Sequence, residues 1–201
     1  LLGNLRMRGL VVGPDFALGH DREGTPEVLM GLGEKLGFKV IAVEPFTIDS
    51  HIVNSTTIRT AIRSGDVLMA AYLLGRPFTL VGTVVHGDQR GGSVLNYPTA
   101  NLQADSSMMI PGDGIYAAWA YFGGQQHKAA VSIGVRPSFT GDRHTVEAYI
   151  LDYRGDLYGE RLKLEFVQYH RPEIAFEHVS QLKQQIDQDV KWTREILAPK
   201  G

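Results

Sequence analysis

Residues 78–85 read Phe-Thr-Leu-Val-Gly-Thr-Val-Val and mark the point where the pattern of the chain changes. Before them, helical and extended segments alternate, whereas after them the chain is a series of extended apolar segments. Clusters of glycine, proline and aspartate separate these segments, which lie at 80–85, 114–121, 129–135, 145–151 and 162–169. Because no helix intervenes, the sequence predicts an antiparallel barrel or sandwich.

A single helical pattern follows the last extended segment. Over residues 180–197 five side chains fall on one stripe of a helix, namely Leu182, Ile186, Val190, Thr193 and Leu197. A stripe of this kind is buried against a neighbouring element. The sequence therefore predicts an amphipathic C-terminal helix packed on the β-structure.

The part of the chain before residue 78 has the pattern of an α/β domain. Its predicted elements are strands at 10–13 and 38–43 and helices at 26–36, 55–65 and 66–75. A strand, a helix and a second strand in this order imply a parallel sheet. We therefore predict two domains, an α/β domain at 1–77 and a β domain at 78–201.

The composition argues against several classes of protein. Of the 201 residues, 43% are hydrophobic and 21% charged, and the net charge of −2 provides no bulk positive field for nucleic acid or anionic lipid. The absence of cysteine removes disulfides and thiolate sites and favours a cytoplasmic protein. No apolar run reaches the roughly 18 residues of a membrane span. Because the chain starts at Leu1 within an apolar segment, we expect it to be a piece of a longer protein.

The most informative loop for chemistry is the glycine-rich stretch from Gly87 to residue 93. Its amides can approach a polyphosphate where glycines leave the backbone open, and an arginine adds fixed positive charge. The candidate residues are Gly87, Arg90, Gly91 and Gly92. A flexible hairpin turn explains the same pattern, and neither of the common phosphate-binding glycine motifs is present.

Three polar residues in extended segments are candidates for metal binding and catalysis. Thr99 and Asn101 are two apart, so on a strand they share a face and can offer neutral oxygen ligands to Mg²⁺. Glu147 faces away from its apolar neighbours and could accept a proton from an alcohol. The alternatives are turn-capping side chains for the first two and a solvated glutamate for the third.

A second candidate anion site lies at the start of the helix at 55–65. Ser55 and Thr56 supply hydroxyl groups beside the exposed amides of its first turn, and Arg59 follows one turn later. An ordinary helix N-cap with a surface arginine explains the same residues. The seven histidines show no zinc-type spacing.

Taken together, these motifs resemble the bacterial bifunctional riboflavin kinase and FMN adenylyltransferase family. The most specific part is the run that ends in Pro98-Thr99-Ala100-Asn101, which is similar to the P-T-A-N signature of flavokinases. Further segments resemble the family in the same order, at 114–116, 132–139, 146–152, 157–159 and 171–176. The resemblance implies a Greek-key β-barrel with a C-terminal helix, which agrees with the strand pattern.

The resemblance also implies an activity, ATP-dependent phosphorylation of riboflavin to FMN. It assigns Thr99 and Asn101 to Mg²⁺ and the ATP phosphates, the glycine-rich loop to the nucleotide, and Glu147 to the base that activates the ribityl 5′-hydroxyl. The chain departs from the family at Gln89, Ser93 and Asn96. A flavin-binding or scaffolding fragment without kinase activity is the alternative.

The first domain resembles the rear part of the family's Rossmann-like nucleotidyltransferase domain. The segments that carry this likeness are 12–19 and 55–59. The resemblance implies that Ser55, Thr56 and Arg59 bind the ATP triphosphate. The H-x-G-H motif of the family's front half does not occur in the sequence. We therefore expect the parent protein to make FAD and this polypeptide alone not to do so efficiently. The expected partners are riboflavin, FMN and ATP.

Overall fold

The computed structural model describes residue 3 and residues 6–87, 97–136 and 143–199. The chain divides into two compact units, Leu1–Asn54 and Ser55–Gly201. Each unit has its own secondary structure, and each is described by itself below.

The first unit contains a parallel β-α-β arrangement. Strand β1 (Gly9–Val12) pairs in parallel with β2 (Lys39–Ala42), and helix α1 (Pro26–Leu36) connects them after a short 3-10 turn at His20–Arg22. Thr25 caps α1 by accepting a hydrogen bond from the backbone of Val28. The parallel pairing confirms the α/β pattern that the sequence predicts. A short antiparallel hairpin follows, β3 (Thr47–Ile48) and β4 (His51–Ile52), which the sequence analysis missed.

The second unit begins with two helices, α2 (Ser55–Arg63) and α3 (Val67–Leu74). Asp66 caps α3, since its carboxylate accepts a hydrogen bond from the backbone N–H of Met69 at 2.9 Å. Four residues of the pair belong to the core of the barrel, namely Ala61, Ile62, Val67 and Ala70. This burial explains why the compact units divide between Asn54 and Ser55, before the boundary at Phe78 that the change of pattern predicts.

Six antiparallel strands form a closed barrel. They are β5 (Thr79–Val85), β6 (Thr99–Ala104), β7 (Gly114–Phe122), β8 (Gln125–Arg136), β9 (Arg143–Ile150) and β10 (Arg161–Arg171). Around the ring their order is β10, β5, β6, β9, β8 and β7, with β7 pairing back to β10. Because β6 pairs with β9 and not with β7, the connection is of the Greek-key type. The barrel is thus confirmed, and the sandwich alternative is wrong.

Side chains alternate between the inside and the outside of the barrel along each strand. On β5, Leu80 and Val84 are buried while Val81, Thr83 and Val85 are only partly covered. The interior is filled by apolar side chains from all six strands, among them Leu102, Ile133, Val146, Leu164 and Phe166. Since the interior is packed, any polar chemistry on these strands belongs to the outer surface.

Helix α4 (Val179–Ile196) packs against β7 and β8, as the sequence predicts. A buried ion pair holds it: Arg171 at the end of β10 donates to both carboxylate oxygens of Asp189, at 2.9 and 2.5 Å. Gln185 also donates to Asp189, whose side chain is only 7% exposed. In the part of the chain that the structure describes, no helix has the length and apolarity to cross a membrane.

The Arg171–Asp189 pair predicts a large and specific loss of stability. In the Arg171→Leu variant Asp189 remains buried without its counter-charge, and we expect the free energy of unfolding to fall by about 3–5 kcal/mol. The matched control is Arg161→Leu, because Arg161 makes a similar bidentate contact to Asp105 that is exposed to solvent. That variant should lose less than about 1 kcal/mol.

The measurement is urea unfolding followed by tryptophan fluorescence. Both tryptophans, Trp119 and Trp192, lie in the barrel unit, so the signal reports this unit alone. Equal losses in the two variants would contradict the claim that burial makes the Arg171 pair different.

Candidate functional site

Three of the residues that the sequence singles out meet on the outer face of the barrel. Asn101 on β6 lies directly opposite Glu147 on β9, and Thr99 lies opposite Tyr149 in the same register. The hydroxyl of Thr99 donates a hydrogen bond to Oε2 of Glu147 at 3.2 Å. The neighbours on β9, Val146 and Ala148, point into the core. The structure therefore brings Thr99, Asn101 and Glu147 together on an accessible surface.

The glycine-rich loop starts beside this cluster. A β-carbon placed on Gly87 would come 2.3 Å from Nδ2 of Asn101, so only glycine allows the backbone to lie against this carboxamide. The strand that leads into the loop is held to β6, because Val85 pairs with Asn101. The other predicted residues of the loop, Arg90, Gly91 and Gly92, lie outside the described residues.

The cluster offers oxygen ligands of the kind that Mg²⁺ prefers. Thr99 presents a hydroxyl, Asn101 a carboxamide and Glu147 a carboxylate. The backbone of Gly87 packs against the carboxamide of Asn101. Among the described residues, no group of three histidine, aspartate or glutamate side chains could hold a metal ion by itself. A cation at Thr99 and Asn101 would therefore need phosphate oxygens and water as its remaining ligands, which is how Mg²⁺ is bound with nucleotides.

An aromatic pair borders the cluster on the side of helix α4. The rings of Tyr97 and Tyr149 meet edge to face, with centroids 4.9 Å apart. The hydroxyl of Tyr97 donates to the carboxylate of Asp187 on α4, and this hydrogen bond raises the pKa of Tyr97 to about 12. Tyr97 thus stays protonated at neutral pH and ties the residue two before Thr99 to the helix.

A second aromatic contact lies next to Gly87. The rings of His86 and Tyr158 are stacked, with centroids 3.8 Å apart, and Tyr158 is 47% exposed. The two rings lie face to face at the start of the glycine-rich loop. The outer face of such an exposed ring can stack a planar heterocycle. Neither aromatic pair can be recognised in the sequence, because each joins residues from distant parts of the chain.

The second predicted anion site lies elsewhere on the molecule. Ser55 and Thr56 are exposed on the first turn of α2, and Arg59 is exposed one turn later. Helix α3 contacts β10, and the backbone N–H of Gly112, two residues before β7, donates to the carbonyl of Ile62 in α2. In the order of the ring these strands lie opposite β6 and β9. The structure does not bring this group together with Thr99 and Glu147, and its role as an anion site stays a prediction.

Comparisons with known proteins agree with the two-part pattern. The family model described as riboflavin kinase matches residues 74–197, and the one described as FAD synthetase matches residues 1–57. A crystal structure described as a macrolide-efflux protein from Streptococcus pneumoniae superimposes with a TM-score of 0.79 at 34% identity, over 93% of this chain and 60% of that one.

Curated relatives carry both activities in their names. A bifunctional riboflavin kinase/FMN adenylyltransferase from Listeria monocytogenes is 36% identical over 96% of this chain and 62% of the relative. One from Pseudomonas fluorescens is 38% identical over 99% of this chain and 64% of the relative. The chain thus spans less than two thirds of the length of these relatives. It belongs to the bifunctional riboflavin kinase/FMN adenylyltransferase family, and its barrel is the riboflavin kinase domain of that family.

Proposed function

We propose that the barrel transfers the γ-phosphoryl group of ATP to the 5′-hydroxyl of riboflavin and so forms FMN and ADP. The observation that carries this proposal is the outward-facing Glu147, hydrogen-bonded to Thr99 and paired with Asn101, within the segment that the riboflavin kinase model matches. We place the reaction in the cytoplasm, because the chain contains no cysteine.

Glu147 is the proposed general base. As the ribityl oxygen attacks the γ-phosphorus, its proton moves to the carboxylate, a new oxygen–phosphorus bond forms, and the bond to the leaving ADP oxygen breaks. The hydrogen bond from Thr99 restrains Oε2 of Glu147 and so orients the carboxylate. Positioning of this kind matters because phosphoryl transfer depends mainly on alignment and charge stabilisation.

The hydroxyl of Thr99 and the carboxamide of Asn101 would hold the magnesium ion together with the ATP phosphates. When bound, Mg²⁺ supplies positive charge that offsets the charge of the phosphate oxygens. The role of Gly87 is to let the backbone pass close to Asn101 and keep its carboxamide in place. The loop residues Arg90, Gly91 and Gly92 are proposed to contact the nucleotide, as the family resemblance implies.

For the whole protein we propose a second activity, adenylylation of FMN to FAD. The match of residues 1–57 to the FAD synthetase model favours it. Ser55, Thr56 and Arg59 are then proposed to bind the ATP triphosphate at the start of α2, where all three are exposed.

The Glu147→Gln variant tests the kinase proposal. The amide cannot accept the proton, so we expect FMN formation to fall at least tenfold, because general base catalysis contributes about 10²- to 10⁴-fold. Riboflavin, ATP and Mg²⁺ are incubated with each protein, and the flavins are separated by chromatography. Glu165→Gln is the matched control, since Glu165 lies on β10 beside Tyr121 and far from β9 in the ring.

Near-native turnover of Glu147→Gln would remove Glu147 from the role of base. A wild-type chain that binds riboflavin but forms no FMN would instead support the alternative of a non-catalytic flavin-binding fragment.

The Gly87→Ala variant tests whether the position of Asn101 matters for activity, because it should move this side chain without destabilising the fold. The new methyl group overlaps the end of the Asn101 side chain, which can swing away at little cost. We expect the free energy of unfolding to change by less than about 1 kcal/mol, as for most changes outside a core. FMN formation should fall at least tenfold, and the Mg²⁺ concentration that gives the half-maximal rate should rise.

The control for this variant is Gly31→Ala in α1, because a β-carbon there meets nothing within 4 Å. Native activity and native Mg²⁺ dependence in Gly87→Ala would show that the position of Asn101 is unimportant.

A further inference from the structure

Thr99 lies at the end of its strand and is restrained less by strand pairing than Asn101 is. In the described part of the chain, Asn101 pairs with Val85 on one side and with Glu147 on the other. Thr99 pairs with Tyr149 on β9 alone. Its hydroxyl nevertheless has to reach Oε2 of Glu147, to which it donates a hydrogen bond. A contact outside the strand ladder can therefore decide where this end of β6 lies.

Tyr97 provides such a contact, two residues before Thr99. Its hydroxyl donates a hydrogen bond to the carboxylate of Asp187 on α4. Its ring meets the ring of Tyr149, the residue opposite Thr99, with centroids 4.9 Å apart. The hydrogen bond to Asp187 raises the pKa of Tyr97 to about 12, so the hydroxyl remains a donor at neutral pH.

The connection from Tyr97 to Thr99 is stiff. The residue between them is Pro98, whose ring fixes its φ at about −65°. A proline also restricts the residue before it, here Tyr97, to extended conformations. A displacement of Tyr97 therefore moves Thr99 as well, because the backbone between them has little freedom to absorb it.

Helix α4 gives this anchor a fixed position on the barrel. Asp187 and Asp189 are two residues apart, so they lie about 200° apart around the helix axis and face different directions. Asp189 is buried and binds Arg171 at the end of β10, whereas Asp187 is exposed and accepts the hydroxyl of Tyr97. The buried ion pair thus holds the turn of the helix from which Asp187 projects.

We propose that Asp187, acting through Tyr97, is a positioning residue for the phosphoryl transfer. This inference rests on the proposed kinase function. The hydrogen bond between Tyr97 and Asp187 fixes the start of β6, so that Thr99 presents its oxygen to the metal and its proton to Glu147. Neither Tyr97 nor Asp187 needs to touch a substrate for this role.

The Tyr97→Phe and Asp187→Ala variants test the proposal, because each removes one partner of the hydrogen bond. A small misplacement of a group at the reacting centre lowers the rate strongly, so we expect kcat for FMN formation to fall about fivefold or more in each variant. The Mg²⁺ concentration that gives the half-maximal rate should rise, since Thr99 is a proposed metal ligand. The Kd for riboflavin, measured by quenching of flavin fluorescence with ADP and Mg²⁺ present, should stay the same.

Two further variants show whether the hydrogen bond itself is responsible. The double variant Tyr97→Phe/Asp187→Ala should be no slower than the slower single variant, because both changes break the same contact. Asp187→Asn removes the charge but keeps an oxygen that can accept the hydroxyl proton, so its kcat should be close to that of the wild type.

Two control variants change similar groups away from the site. Tyr121→Phe removes a tyrosine hydroxyl that donates to Glu165, on strands that do not pair with β6 or β9. Glu195→Ala removes another exposed carboxylate from helix α4. Both should keep the kcat of the wild type. The midpoint of urea unfolding should change little in any of these variants, because the changes lie outside the core.

Three results overturn the proposal. Wild-type kcat in Tyr97→Phe would show that the hydrogen bond does not position Thr99. If Asp187→Asn is as slow as Asp187→Ala, the charge of Asp187 matters and the hydrogen bond does not. A higher Kd for riboflavin with unchanged kcat would mean that the pair contacts the flavin.

These results are distinct from a failure of the proposed function. If the wild type forms FMN and Glu147→Gln does not, the kinase function stands even where this inference fails. A wild type that forms no FMN overturns both.

Discussion

The pairing of β6 with β9, in the register that sets Asn101 opposite Glu147, is the constraint on which the candidate site depends. Because side chains alternate along a strand, a slip of one residue would send Glu147 into the apolar interior and bring Ala148 out. An unpaired carboxylate in such a core is strongly unfavourable. The same alternation that builds the core therefore also fixes which residues can face a substrate.

The neighbouring strands extend this register into a continuous row. Val85, Asn101, Glu147 and Ser132 follow one another across four strands, and the chain segments that leave β5 and β10 add Gly87 and Glu173 at the two sides. Glycine occurs where a side chain presses on the backbone, at Gly87 against Asn101 and at Gly134 against Glu173.

Two carboxylates on helix α4 contact other parts of the barrel unit, one at a buried position and one beside the candidate site. Asp189 holds the helix to β10 through Arg171, and Asp187, two residues earlier, accepts the hydroxyl of Tyr97 close to Thr99. The first contact is buried and contributes to folding, whereas the second lies at the surface beside the cluster. The helix is therefore part of the architecture of the site as well as a cover for the barrel.

Local sequence patterns predicted much of this fold, because helix caps, helix stripes and strand alternation each depend on residues that are close in sequence. The caps at Thr25 and Asp66, the stripe on α4 and the alternation on β5 all belong to single elements. Closure of the barrel could not be read in the same way, since it needs pairings such as β6 with β9. The two-residue strands β3 and β4 are too short to show a period.

The candidate site likewise contains residues that local motifs predict and residues that only the folded structure reveals. Thr99, Asn101 and Glu147 were predicted from short motifs and strand spacing, and the family resemblance gave them roles. The partners Asp187 of Tyr97 and Glu173 of Ser132 lie 90 and 41 residues away in sequence, where no local pattern connects them. Only the folded barrel brings them together.

A structure of the chain with FMN, ADP and Mn²⁺ in place of Mg²⁺ tests most directly whether the outer face of β6 and β9 is the kinase site. If it is, the anomalous signal of manganese lies at the Thr99 hydroxyl and the Asn101 carboxamide, with the FMN phosphate between the metal and Glu147. Manganese and nucleotide bound only at the first turn of α2, with FMN away from Glu147, would contradict it.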